Sequence, residues 1–217
     1  MDSLRRQMRL VGMLDSPYVR RVAVSLRYLD IPFEQSEISV FRSIEAFGKI
    51  NPLLKAPSLV CDGGEVLMDS SLILNYAERL PTNGKTLMPE ALSDYQRAIR
   101  LIGLGLNACD KTVQIEYERK RPYDKQYQPW LDRIYSQLTA AYDLLEAEAA
   151  NTTDWLVEGQ FSQADITCSV AWQFTQFMMS DVIDINKYPA ISVLSQKAEA
   201  RPEFMATPIT PGWMVQI

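Results

Sequence analysis

The sequence predicts an α/β domain followed by an all-α helical bundle, on three observations. Residues 1–81 alternate short apolar runs with amphipathic stretches, whereas residues 90–217 carry only helical periodicity. Between them, Pro81-Thr82-Asn83-Gly84-Lys85 and Met88-Pro89 mark a break in composition, which places a linker at 82–89. A chain of 217 residues is long enough for two such domains.

The first domain reads as βαβ, a short helix, then ββα. Met8 to Met13 is an apolar strand. Ser16-Pro17 then opens a helix, because proline is at home in a first turn where its missing N–H costs nothing. Val19, Val22, Ala23, Leu26 and Leu29 form its apolar stripe, and Asp30-Ile31-Pro32 breaks it. Phe33 to Ile38 is a second strand, and Arg42 to Lys49 a short helix closed by Asn51-Pro52. Gly63-Gly64 between the apolar runs Pro57–Cys61 and Glu65–Met68 signals a hairpin. Asp69-Ser70-Ser71 starts a helix running to Arg79.

In the second domain, Ala98 to Ala108 is apolar on nearly every side, which predicts a buried or interfacial helix. Tyr127, Trp130, Leu131, Ile134, Leu138, Ala141, Tyr142 and Leu145 repeat at three and four, an amphipathic helix. Ile166 to Met179 reads as the central helix of the bundle, and Tyr188-Pro189 precedes a last helix to about Ala200. The tail, with Pro208, Pro211 and Trp213, reads as irregular. Phe161-Ser162-Gln163-Ala164-Asp165-Ile166 contains a capping box flanked by the positions of a hydrophobic staple. Asp165 is therefore expected to close a helix start rather than act as a catalytic acid.

Composition narrows the chemistry. A net charge of −5 argues against nucleic-acid binding, which wants a basic face. The one basic cluster, Arg119-Lys120-Arg121, reads as a solvated helix end. No apolar run is long enough to span a membrane, and the first residues lack the apolar core of a secretion signal, so the chain reads as cytoplasmic. Cys61, Cys109 and Cys168 are far apart and odd in number, which argues against a disulfide framework; each reads as a small core hydrophobe. The sequence has no histidine, which removes Ser-His and Cys-His catalysis and histidine-bearing zinc sites. No metal site is expected. Chemistry must rest on hydroxyls, carboxylates, amines, dipoles, or a reagent brought in by a ligand.

Three segments of the first domain suit one ligand. The Ser16 hydroxyl stands at a helix N-terminus, where it either caps its own helix or donates to an anion such as a thiolate. Pro57, entering a strand, suits a tight and cis turn that leaves the Ala56 backbone open for a ligand peptide. Asp69-Ser70 opens another helix, a place for capping and for a ligand carboxylate alike. A small peptide with a thiol and a carboxylate fits that set.

Four stretches together, in this order and spacing, carry a family resemblance along nearly the whole chain: Ser16-Pro17-Tyr18-Val19-Arg20-Arg21-Val22, Asn51-Pro52-Leu53-Leu54-Lys55-Ala56-Pro57, Asp69-Ser70, and Phe161 to Ile166. The sequence resembles the soluble glutathione transferases, in their bacterial-like, serine-bearing form. The resemblance implies a thioredoxin-like N-terminal domain that binds glutathione, an all-helical C-terminal domain that builds the electrophile pocket, and a homodimer. It implies Ser16 as the hydroxyl facing the glutathione sulfur, and Ala56, before cis Pro57, pairing with the cysteinyl backbone. Asp69 and Ser70 would hold the γ-glutamyl end, and Lys55, or else Lys49, the glycine carboxylate. Leu14, Cys109, Val113, Tyr117 and Trp172 are the pocket candidates, from their place after the first strand or on second-domain helices, with core packing as their alternative reading. Trp213 would cover the cleft. Arg20 and Arg21 read as surface or helix–helix contacts.

The aspartate before Ser70 stands where many members have glutamate. Serine at the active-site position implies thiolate stabilisation, where cysteine would imply mixed-disulfide chemistry. The expected activity is transfer of glutathione to an apolar electrophile. Alternatives on the same fold are glutathione-dependent reduction of peroxides or disulfides, and a non-catalytic member that binds protein partners.

Overall fold

The computed structural model describes residues 7–209, which form two compact units. The first runs to Thr86 and is rejoined by the chain from Pro202; the second spans Leu87 to Arg201. Trp213, expected to cover the cleft, lies outside the described residues. In chain order the first unit holds β1 (Met8–Val11), α1 (Pro17–Tyr28), β2 (Phe33–Ser36), α2 (Ile44–Gly48), β3 (Ser58–Val60), β4 (Val66–Met68) and α3 (Ser70–Ala77). The second holds α4 (Leu92–Arg119), α5 (Gln128–Ala150), α6 (Gln163–Met179) and α7 (Pro189–Glu199). The short α8 (Pro202–Met205) belongs to the first unit again.

The sheet order is β2-β1-β3-β4. β1 runs parallel to β2, with Met8 opposite Phe33, and α1 is the crossover that a parallel pair requires. β3 is antiparallel to both neighbours, so Leu59 faces Leu10 on one side and Leu67 on the other. The two inner strands carry buried Leu10, Val11 and Leu59. Pro17 sits in the first turn of α1, and nine of the helix's twelve residues are buried, among them Val19, Val22, Ala23 and Leu26 of the apolar stripe; Leu29, the last of that stripe, is the buried C-cap.

Arg20 and Arg21 are buried too, at 1% and 2% exposure, which corrects the surface half of their reading and leaves the helix–helix half. Arg20 Nε donates to the Thr207 carbonyl (2.8 Å), and its guanidinium lies 5.5 Å from the centre of the Phe204 ring. This fastens α8 and Thr207 onto α1. Arg21 Nη1 donates to Ser70 Oγ (3.0 Å) and Ser71 Oγ (3.1 Å), tying α1 to the start of α3.

In the helical unit α4 packs on α5 and α6, and α7 closes on both α5 and α6. The helix read from Ala98 to Ala108 is one part of a longer α4. Gly105 is what lets α4 approach α6: a Cβ there would stand 3.1 Å from Thr167 Cγ2 and 3.3 Å from the Thr167 backbone. Since backbone yields less readily than a side-chain tip, Gly105→Leu is expected to cost about 1–3 kcal/mol of unfolding free energy, measured by urea denaturation, despite leucine's better helix propensity.

The capping box is present, with Ser162 as N-cap of α6 and Asp165 bonding back to its N–H. Asp165 is fully buried, and its carboxylate accepts from Leu156 N (2.9 Å), Ser162 N (2.8 Å) and Ser162 Oγ (2.8 Å). Asp165 thus joins the helix start to the preceding loop.

The basic cluster at the end of α4 is paired: Lys120 with Glu116 (3.1 Å), Arg121 with Glu118 (3.2 Å), and Arg119 with Asp181 (2.8 Å) and Tyr135 Oη (2.9 Å). Cys109 and Cys168 are buried as expected. Cys61 is only half-buried, and partial burial pushes its thiol up.

Candidate active site

Ser16 ends the β1–α1 loop with an extended backbone (φ −71°, ψ 122°), the geometry of an N-cap. Its Oγ accepts from Val19 N at 3.4 Å, and its carbonyl takes the first helical bond from Arg20 N (2.9 Å). Because the hydroxyl oxygen serves the helix as acceptor, its hydrogen remains to be donated. The loop that delivers Ser16 is held at its start. Gly12 N donates to Ser36 O (3.0 Å), and Gln35 Nε2 donates to Gly12 O (2.8 Å). Gly12 has φ +141°, and a Cβ there would meet Val19 Cγ2 at 2.6 Å and Ala56 Cβ at 3.3 Å, so only glycine fits. That same spacing brings the Ala56 segment against the base of the loop.

The Ala56–Pro57 bond is cis. No hydrogen bond engages the Ala56 backbone among the described residues, although β3 begins two residues later. The segment before it is built by Asn51, which the sequence shows closing a helix and opening the Asn51–Pro57 stretch but to which it assigns no bonding role. Asn51 is 2% exposed; its Nδ2 donates to Ser58 Oγ (2.9 Å), and its Oδ1 accepts from Leu53 N (3.0 Å). Ser58 Oγ in turn donates to Lys55 O (2.7 Å). Leu54, within this loop, is held at φ +51°, a region costly for a branched side chain. Asn51→Ala leaves Ser58 and Leu53 short of partners, so stability is expected to fall by about 1–3 kcal/mol. Urea denaturation checks it.

Asp69 caps α3 with φ +69°, its Oδ1 accepting from Ser71 N (2.9 Å) and Leu72 N (3.4 Å). Its carboxylate is thus a cap, as one of its two readings had it. Ser70, 4% exposed, receives Arg21 as described. Lys55 and Lys49 are both exposed. Lys49 follows α2 and lines an open cleft of about 460 Å³ with Phe41 to Ala46. Leu14 is buried in the first unit, two residues before Ser16. Cys109, Val113 and Tyr117 recur every fourth residue along one face of α4, from buried Cys109 to Tyr117 at 44% exposure. Trp172 is buried in the helical unit, edge-on to Tyr142 with ring centres 5.2 Å apart. Among the described residues no cluster of histidine, cysteine or carboxylate side chains has the makings of a metal site.

Comparison with known proteins bears on this arrangement. Residues 10–84 match the family model described as glutathione S-transferase, N-terminal domain, and residues 128–193 that of the glutathione S-transferase C-terminal domain. An uncharacterized GST-like protein of Escherichia coli, YibF, is 27% identical over 165 residues, 76% of this chain and 81% of that protein. A glutathione S-transferase of Methylobacterium radiotolerans, solved with glutathione sulfonate, superposes with a TM-score of 0.88 at 27% identity, covering 95% of this chain and 97% of that one. A family member from Pseudomonas fluorescens Pf-5, solved with glutathione bound, gives a TM-score of 0.81 at 29% identity, covering 94% and 99%.

Proposed function

We propose that this chain, which belongs to the glutathione transferase family by both of its domains, binds glutathione on its first unit and holds the thiol as thiolate through Ser16 for attack on an apolar electrophile. The observation that carries the reading is the Ser16 hydroxyl. It caps α1 as an acceptor, which leaves its hydrogen for an anion at the positive end of the helix. Ala56, with its backbone unengaged, pairs with the cysteinyl part of the tripeptide, and Pro57 sets the direction of that backbone. Ser70 takes the γ-glutamyl carboxylate, with Asp69 beside it toward the ammonium group. Lys55, or Lys49, meets the glycine carboxylate.

The reaction is a displacement. The thiol gives its proton to water, the sulfur lone pair forms a bond to the electrophilic carbon, and the leaving group departs with its electron pair. Leu14, two residues before Ser16 in the first unit, is proposed to lie on the electrophile's side. A homodimer in the cytoplasm completes the proposal; no helix among the described residues is long and apolar enough to cross a membrane.

Calorimetric titration with glutathione, followed by conjugation of a chlorinated nitroarene, tests the reading. Binding in the micromolar to low-millimolar range, with chloride released, supports it. Absence of binding removes it.

A further inference from the structure

We propose that Arg21 is a positioning residue of the ligand site, orienting the Ser70 hydroxyl so that its hydrogen points to the γ-glutamyl carboxylate. The inference rests on the function proposed above, and goes beyond it by naming what makes Ser70 a donor.

A guanidinium only donates hydrogen bonds. Arg21 Nη1, 3.0 Å from Ser70 Oγ, therefore obliges that oxygen to accept, and the hydroxyl hydrogen turns away from Arg21. No acceptor among the described residues takes that hydrogen, and none takes the Ser70 backbone N–H. Asp69 Oδ1 has already consumed Ser71 N and Leu72 N, the two N–H groups that follow. Ser70 is left presenting two donors, its N–H and its O–H, at the start of α3. Two donors on one residue match the two oxygens of a carboxylate. The second contact, from the same Nη1 to Ser71 Oγ (3.1 Å), fixes the guanidinium across the first turn of α3. Arg21 is 2% exposed, so water does not compete for these bonds.

A purely structural role, in which Arg21 only ties α1 to α3, makes a different prediction from an orienting role. The test compares two ligands. One is glutathione; the other is 4-aminobutanoyl-cysteinylglycine, which is glutathione without the γ-glutamyl carboxylate. Both are titrated by calorimetry into the wild type, Arg21→Met and Arg21→Gln. Methionine fills the stem without donors. Glutamine adds an acceptor toward which the Ser70 hydrogen can turn inward, and it keeps the site polar if the methionine variant fails to fold. The wild type is expected to prefer glutathione over the analogue by about tenfold or more, as a hydrogen bond to a charged group allows. In both variants that preference is expected to shrink to about threefold or less. A preference unchanged in the folded variant, with affinity for both ligands reduced alike, overturns the orienting role while leaving glutathione binding intact. A wild type that binds neither ligand overturns the function proposed above, and the role of Arg21 with it.

Discussion

Ser16→Ala is expected to lower kcat/KM for conjugation at pH 7 by about 3- to 20-fold, with glutathione affinity changed by less than about threefold. A free thiol has a pKa near 8.5, so only about 3% is thiolate at pH 7. A hydrogen bond to a charged acceptor contributes about 1.5–3 kcal/mol, and the N-terminus of α1 adds about 0.3–1 kcal/mol. At about 1.4 kcal/mol per pKa unit, the sum lowers the bound thiol by about 1.3 units or more and makes about 40% or more of it nucleophilic at pH 7. Removing the hydroxyl removes the larger part. The deficit should shrink as pH rises toward 9, where the thiol ionises without help, and a pH–rate profile reads this directly. Because Ser16 also caps α1, alanine costs stability as well; glycine at an N-cap costs only a few tenths of a kcal/mol. Ser16→Gly should therefore lose activity as alanine does. Activity retained in the glycine variant would reduce Ser16 to a cap.

Asp165→Ala is expected to be the most destabilising single change in the helical unit, by about 3–5 kcal/mol, since it orphans three buried donors at Leu156 and Ser162. Urea denaturation followed by tryptophan fluorescence measures it, with Trp155 and Trp172 both in that unit. The carboxyl also has a pH signature. Burial pushes it up to about 6, against the pull of the Leu156 and Ser162 donors. Unfolded, it titrates near 3.9. Between those values the folded state binds more protons, so the group's contribution is full below about pH 4 and is lost as pH rises through 6. The stability of the wild type relative to Asp165→Asn should accordingly fall by about 2–3 kcal/mol from pH 4 to pH 7. A rise over that range would mean that the three donors outweigh burial.

Much of this was legible in the sequence, where local chemistry dictates local form. Pro17 after Ser16 gives a helix start, Gly63-Gly64 between apolar runs a hairpin, and Ser162 with Asp165 a capping box; each needs only neighbours within a few residues. The parts that escaped are tertiary. Arg20 and Arg21 look like surface residues on a helical wheel until Thr207 and the start of α3 arrive to take their donors. Asn51 reads as punctuation until Ser58 and Leu53 turn back toward it. The return of the chain from Pro202 to the first unit has no periodic signal, because α8 is one turn long and is held by Arg20 rather than by an apolar stripe. In the candidate site, Ser16, Pro57 and Asp69 were each visible as local turn or cap chemistry. The donors that orient Ser70 were not, because Arg21 lies 49 residues away in the chain.

The central claim is that Ser16 holds another molecule's thiolate. Its most direct test is an ultraviolet titration of glutathione bound to the wild type and to Ser16→Ala, following thiolate absorbance from pH 5 to pH 10. The wild type should show a bound thiol titrating about 1.3 units or more below the free value near 8.5, and Ser16→Ala should return it most of the way. A bound thiol that titrates at the same pH in both proteins would contradict the account.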